Sequence, residues 1–335
     1  MIGHMRVMYL THDYPQASEV YVEDELRFAR SQGVEIAVWS LTAAPIPEAL
    51  PEGVELQVGG DVNALVSRFK PDVVHLHWMQ WGPNVLNHFH SRGLPVTVRA
   101  HTDTTPERLA GYCAHLAVKR IYLYPGQAEY FNASHPKLVA CPIGVMRPLA
   151  DVPRQRNLVL RAASTNQRAQ SFMIDVAERM PHFNFRLVLG ECHHVSAPAN
   201  VAEIRRRVAD PIENLRIDWN VSKAGMEKMF NRAGIYLFTF PEGKPAKMPL
   251  SIAQSLAAGC YVLAPNQPAL ARMIGEAGGL YDSLEHACEL LEQTRGWGDA
   301  QWAAAENAAR LQAEPMLSHN AYADLVPFWR SLKAN

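Results

Sequence analysis

Apolar and polar positions alternate in two regimes along the chain. Short β-rich apolar runs, three to six residues long, are separated by stretches with helical spacing, which predicts parallel sheets built from strand–helix–strand units. In the first half the pattern predicts strands at Arg6–Leu10, Glu35–Trp39, Asp72–His77, Val96–Arg99, Arg120–Tyr124 and Leu138–Ala140. Helices are predicted from about Glu19 to Gln32 and over Val62–Phe69, the first capped by Ser18 and stopped by Gly33. A Pro-containing stretch, Cys141–Pro148 with Pro153 beyond it, reads as a crossing between domains. A second series follows, with strands at Asn157–Ala162, Phe185–Gly190, Leu215–Asp218, Ile235–Phe240 and Tyr261–Ala264 and a helix at Ser171–Met180. The tail, Asn320–Lys333, reads as one aromatic amphipathic helix carrying Tyr322, Phe328 and Trp329. The expected division is residues 1–147, with helix 318–333 packing back on them, and residues 148–317. Both parts are expected to be doubly wound α/β units.

Composition sharpens this picture. At 335 residues the chain exceeds what one core usually supports, in keeping with two domains. A net charge of −1 gives no overall field favouring nucleic acid, and no basic stripe accompanies Trp78, Trp81 or Trp219, which read as packing or sugar-stacking groups. The longest apolar runs are strand-length, far short of the ~20 residues a membrane span needs, and peripheral membrane contact is left open. Met5–Leu10 enters a strand pattern directly, so no secretory leader is read. Five scattered cysteines without a CxxC pair point to reduced thiols and a cytoplasmic protein.

The candidate chemistry concentrates in Phe240–Cys260. A strand ends, a Gly/Pro loop follows, and a helix begins near Leu250 or Ser251 and closes at Gly259. The free N–H groups at the helix start Met248–Ser251, where Pro249 itself has none, would form an anion site suited to a diphosphate, with Pro249 shaping the turn and Lys244 or Lys247 adding charge. His75 and His77 fall on one strand face, as two metal ligands would, but no third ligand stands near them in sequence, so no metal is expected. Cys192-His-His194 has a metal-like composition without a partner cluster.

The stretch PEGKPAKMPLSIAQSLAAGCYVLAP resembles the donor-binding segment of the family-4 glycosyltransferases, whose usual form is EGxPLxxLEAMAxGxPVI. PDVVHLHW, LPVTVRAH, CPIGV, FRLVLG and NRAGIYLFTFPEG occur in that family's order, so the resemblance spans nearly the whole chain. It implies the GT-B fold: two Rossmann-like, doubly wound parallel-sheet domains facing a central cleft, the first acceptor-side and the second binding the donor. It further implies transfer of a sugar from a nucleotide sugar, a UDP- or GDP-sugar, to a glycan, lipid-linked or small-molecule acceptor, with retention and without a metal or other cofactor.

By the same resemblance Glu242 contacts the donor sugar or its phosphates, and Gln254 stands where a glutamate ordinarily grips both ribose hydroxyls. The Glu242–Gln254 spacing exceeds the family's by four residues. Arg168 falls on the basic position that neutralises the leaving diphosphate, with Ala163 at its usual arginine partner and Arg161 nearby. His101 matches a histidine close to the donor sugar, Asp103 is its polar neighbour, and Ser18, Glu19 and His77 are acceptor-side candidates. Gln254, Ala163 and the longer loop keep a catalytically weakened nucleotide-sugar-binding protein open as an alternative, and another GT-B enzyme such as a sugar-nucleotide epimerase is the second.

Overall fold

A computed structural model describes residues 4–15, 20–44, 49–101, 104–131, 134–148, 152–165, 170–190, 197–239 and 249–333. The chain divides into two units, Met1–Gly144 with Ser318–Asn335, and Val145–Leu317. No helix among the described residues is long and apolar enough to cross a membrane.

The first unit alternates strand and helix: β1 (Met5–Thr11), α1 (Val20–Ser31), β2 (Val34–Ser40), β3 (Val54–Val58), α2 (Val62–Phe69), β4 (Val73–His77), α3 (Pro83–Ser91), β5 (Val96–Arg99), α4 (Pro106–Ala114), β6 (Val118–Leu123), α5 (Pro125–Tyr130) and β7 (Leu138–Ala140). All its strands are parallel, in the order β3-β2-β1-β4-β5-β6-β7. This is the doubly wound 3-2-1-4-5-6 order extended by one strand, with its switch point between β1 and β4. One sheet face is apolar at its centre, built on Met8, Leu10, Val74, Leu76, Val98 and Ile121. The opposite face packs under α1 and the C-terminal segment, and its centre is polar.

The second unit repeats the plan with β8 (Gln155–Ser164), α6 (Gln170–Arg179), β9 (Asn184–Gly190), α7 (Ala197–Arg207), β10 (Leu215–Trp219), α8 (Lys223–Arg232), β11 (Ala233–Leu237), α9 (Leu250–Ala258), β12 (Tyr261–Pro265), α10 (Pro268–Ile274), β13 (Gly278–Tyr281), α11 (Leu284–Arg295) and α12 (Asp299–Ala313). Its parallel order, β10-β9-β8-β11-β12-β13, is again 3-2-1-4-5-6, with the switch point between β8 and β11. The chain then adds α13 (Ser318–Ala321) and α14 (Leu325–Lys333) to the first unit.

Several expectations need adjusting. The tail is two helices rather than one, because Pro327 lacks an N–H and its ring excludes a preceding helical turn, so α14 must start within a turn of it. The strand expected to run to Phe240 ends at Leu237. β3 and β13 are additional strands. β13 opens with Gly278-Gly279, a poor strand signal, yet a Cβ at Gly278 would lie 1.9 Å from the Val262 carbonyl oxygen. Close strand approach, not propensity, selects glycine there.

Candidate functional site

Strand register sets the polar centre of the first unit. Tyr9 pairs with His75, His75 with Thr97, His77 with Arg99, and Arg99 with Tyr122, which places all six side chains on one sheet face. Helix α1 lays Val22, Leu26 and Ala29 on that face, and Glu25, at helical spacing with them, goes inside as well. Its carboxylate and the Arg99 guanidinium are both essentially fully buried, with Arg99 Nε 2.5 Å from Glu25 Oε2.

The other carboxylate oxygen, Oε1, collects three neighbours. Tyr9 donates its hydroxyl at 3.2 Å. His75 Nε2 and His77 Nε2 approach at 3.0 and 3.5 Å, off the line of a well-formed hydrogen bond. Burial pushes the Glu25 carboxyl up, but Arg99 and then His75 outweigh it and hold the group well below the usual carboxylate range. Burial pulls His75 down to about 4 and lowers His77, against the opposing pull of Glu25. Near neutral pH the cluster is therefore an ion pair surrounded by neutral imidazoles.

Two hydrogen-bonded strings run outward from it. In one, His75 Nδ1 meets Thr97 Oγ1 at 2.7 Å, and Thr97 Oγ1 accepts from Trp329 Nε1 of α14 at 3.1 Å. In the other, His77 Nδ1 lies 3.2 Å from His101 Nε2, and His101 Nδ1 lies 2.6 Å from the Tyr124 hydroxyl. His101 stands just past the carboxyl end of β5 and His77 ends β4, beside the switch point where ligands of such sheets bind. The His101 carbonyl is anchored by Gln127 Nε2 at 2.7 Å and Thr104 Oγ1 at 2.8 Å. Half-buried Trp78 and Tyr21 flank the imidazole, with ring centroids 4.7 and 5.1 Å away. Trp78 holds a left-handed backbone (φ 65°), unusual for a bulky residue, and its N–H donates to the Arg99 carbonyl at 3.0 Å.

His77, read from sequence as an acceptor-side group, is fully buried and lies behind His101. Glu25 corrects the expectation that His75 and His77 lack a third metal-ligand type nearby, since the three ligand atoms lie within 4.8 Å of one another. Arg99 sits on the carboxylate, however, so a divalent ion would join a guanidinium in a fully buried cluster holding one anion. The donor set fits an internal ion pair better.

In the second unit, the carboxyl ends of β8 and β11 flank the switch point. Arg161 of β8 is only 1% exposed and turns into the fold. It donates to Thr239 Oγ1 at 3.1 Å, to the Thr239 carbonyl at 3.0 Å, to the Tyr236 hydroxyl at 2.9 Å and to the Ala162 carbonyl, with its guanidinium 4.7 Å from the Phe238 ring centre. It therefore braces residues 236–239 at the carboxyl end of β11.

Helix α9 begins at Leu250 after Pro249, whose side chain makes no cap. Ile252, Ala253, Leu256 and Ala257 bury its inner face, and Gly259 ends it in the left-handed conformation (φ 86°). Pro249, Leu250, Ser251 and Gln254 are half-buried along its start. The remaining candidates Ser18, Glu19, Asp103, Arg168, Glu242, Lys244, Lys247 and Met248, and the Cys192–His194 stretch, lie outside the described residues.

Sequence reading passed over Glu25, Arg99, Tyr9 and Tyr124. Their signal was a charge on an apolar helix face and another in a buried strand, but nothing in the sequence paired them.

The sequence matches no protein-family profile and no curated protein sequence. Solved structures do match. A glycosyltransferase from Rickettsia africae superposes with a TM-score of 0.76 at 11% identity, covering 99% of this chain and all of that one. HepE from Anabaena, in complex with UDP and glucose, gives 0.75 at 13% identity, covering 98% of this chain and 100% of its own. Sucrose-phosphate synthase from Thermosynechococcus elongatus gives 0.73 at 12% identity, covering 99% and 100%. The likeness is one of fold: the chain has the two Rossmann-like parallel-sheet units of the GT-B glycosyltransferases.

Proposed function

We propose that this chain is a nucleotide-sugar-dependent glycosyltransferase whose second unit binds the donor. The observation that carries the reading is the start of α9. Helix α9 begins at Leu250, after Pro249, whose side chain makes no cap, in the connection from β11 beside a switch point, and Gln254 stands half-buried in its second turn. The first N–H groups of such a helix carry partial positive charge and suit a diphosphate. Neighbours of the same fold have been solved with UDP and with UDP-glucose, which supports a UDP-sugar as the first donor to try.

Charge builds on the departing diphosphate as the anomeric C–O bond breaks. Arg168, Lys244 or Lys247 and the start of α9 are assigned to stabilise it, Glu242 to hold the donor sugar, and Gln254 to bind the ribose. Retention, catalysis without a metal, and a cytoplasmic location in which the cysteines stay reduced belong to the same proposal. A glycan, lipid-linked or small-molecule hydroxyl is the acceptor.

Thermal unfolding with UDP, UDP-glucose and GDP-mannose tests donor binding: a ligand at 100 times its Kd adds roughly 2.7 kcal/mol. No shift with any nucleotide sugar, together with no donor hydrolysis in EDTA, would reject the reading. Arg168→Ala is expected to lower turnover by about a hundredfold while donor affinity changes little, because its charge matters most in the transition state. Loss of affinity at unchanged turnover counts against that role.

Gln254 offers a finer probe. A neutral Gln–ribose contact is weaker than a carboxylate pair by about 1 kcal/mol. Gln254→Glu should hold or tighten UDP-glucose binding and Gln254→Ala should loosen it, as read by calorimetric titration. Three equal affinities would remove Gln254 from the ribose site. Gln254 also favours a second reading, a donor-binding protein with little turnover; binding without hydrolysis or transfer would select it.

A further inference from the structure

Tautomers can be assigned around Glu25 from chemistry alone. A carboxylate offers only lone pairs, so an imidazole nitrogen held 3.0–3.5 Å from it must present N–H to avoid repulsion. That makes His77 the Nε2–H form and leaves its Nδ1 as an acceptor. His101 Nε2, 3.2 Å from this acceptor, must then carry the proton, which leaves the His101 Nδ1 lone pair facing the Tyr124 hydroxyl at 2.6 Å. The string thus runs Tyr124 to His101 to His77 to Glu25, every donor pointing inward. Arg99 on the far carboxylate oxygen keeps the terminus ionised, and so keeps the polarity of the string.

We propose that Glu25 is a positioning residue that acts through His77 to fix His101 as the Nε2–H tautomer, making His101 Nδ1 a built acceptor for a hydroxyl. In this structure the Tyr124 hydroxyl fills that position. Once it turns aside, a carbohydrate hydroxyl is the ligand class that fits, flanked by Trp78 and Tyr21; this last step rests on the glycosyltransferase reading, whereas the tautomer does not. His77 and Glu25, fully buried, touch no substrate. Their role is to decide which nitrogen of His101 is a lone pair.

Long-range 1H–15N correlation spectra of the uniformly labelled full-length protein report which nitrogen of each histidine bears the proton. The His101 signals are identified by their loss in His101→Gln. At pH 7.5 His101 should be the Nε2–H form by at least about tenfold over Nδ1–H, since the alternative leaves two buried lone pairs opposed. His77→Phe, which deletes the acceptor, should reduce that preference at least about tenfold, and His77→Gln, whose side-chain carbonyl can accept, should restore it. Tyr124→Phe should leave His101 as Nε2–H, because the tautomer is set from the Glu25 end. An Nδ1–H His101 in the native protein or in Tyr124→Phe, or a preference unmoved by His77→Phe, overturns the proposal. Tyr124→Phe and His77→Gln keep the test decisive if His77→Phe does not fold. The assigned tautomer in a protein that binds no nucleotide sugar would uphold the positioning role and reject only the proposed function.

Discussion

Glu25→Ala should destabilise the first unit by about 3–5 kcal/mol, the loss expected when one partner of a buried ion pair is removed. The reason is on the far side of the contact. Arg99 is 1% exposed and central in the sheet, and beside Glu25 it meets the Cys141 sulfur, 3.5 Å from both Nη atoms, and the Tyr122 and Tyr322 rings, none of which carries a compensating charge. Without Glu25 a buried guanidinium is left without its counter-charge, and Tyr9, His75 and His77 lose their common acceptor. Replacing both charges is a different experiment. The double variant Glu25→Leu/Arg99→Met removes the desolvation cost together with the attraction, and should regain most of the lost stability. Urea denaturation, with hydrogen exchange on β4 and β5 to follow the first unit, measures both. A single variant within about 1 kcal/mol of the native protein would show that Arg99 is compensated by something other than Glu25.

The second large effect is acid sensitivity. His75 binds a proton near pH 6.5 when unfolded but only at about 4 when folded, chiefly because burial disfavours its charge. The unfolded chain therefore holds more protons across that window, and stability must fall as the pH drops from 6.5 towards 4. At about 1.4 kcal/mol per unit, His75 alone accounts for about 3 kcal/mol. His77 and His101, also lowered by burial, act in the same direction. Glu25 adds its own loss below the ordinary carboxylate range, since its folded value lies well beneath the unfolded one. The urea midpoint of the first unit should therefore decline steadily between pH 7 and 4.5, and His75→Phe should flatten that decline. A midpoint constant over this range would mean that the imidazoles are protonated within the fold.

Much of the fold is legible in the sequence. Val62–Phe69, Val96–Arg99 and Leu138–Ala140 occur with the predicted limits, and α9 begins at Leu250 and ends at Gly259 as its loop and glycine imply. These elements carry local instructions: short apolar runs for the strands, an Asp61 cap at the start of α2 and a left-handed glycine at the end of α9. β13 has no such instruction. Gly278 is there because the Val262 carbonyl comes too near for a Cβ, and that neighbour lies elsewhere in the chain. The sequence reading placed the domain break at 147/148, whereas the packing divides the chain at 144/145.

The candidate site divides along the same line. Sequence alone determined the alternating strand–helix plan, the start of α9 at Leu250, the position of His101 after an apolar strand, and the placing of His75 and His77 on one strand face. Glu25 among Val22, Leu26 and Ala29, and Arg99 at the end of a buried run, carried a local signal that the sequence reading left unused. Only the tertiary structure decided that these two charges answer each other across 74 residues, and that His75 and His77 converge on the same carboxylate. It likewise decided that Arg161 turns inward to brace residues 236–239. The physical reason is range: propensity and periodicity are written in neighbouring residues, whereas compensation of a buried charge depends on which distant strand and helix the fold brings within about 3 Å.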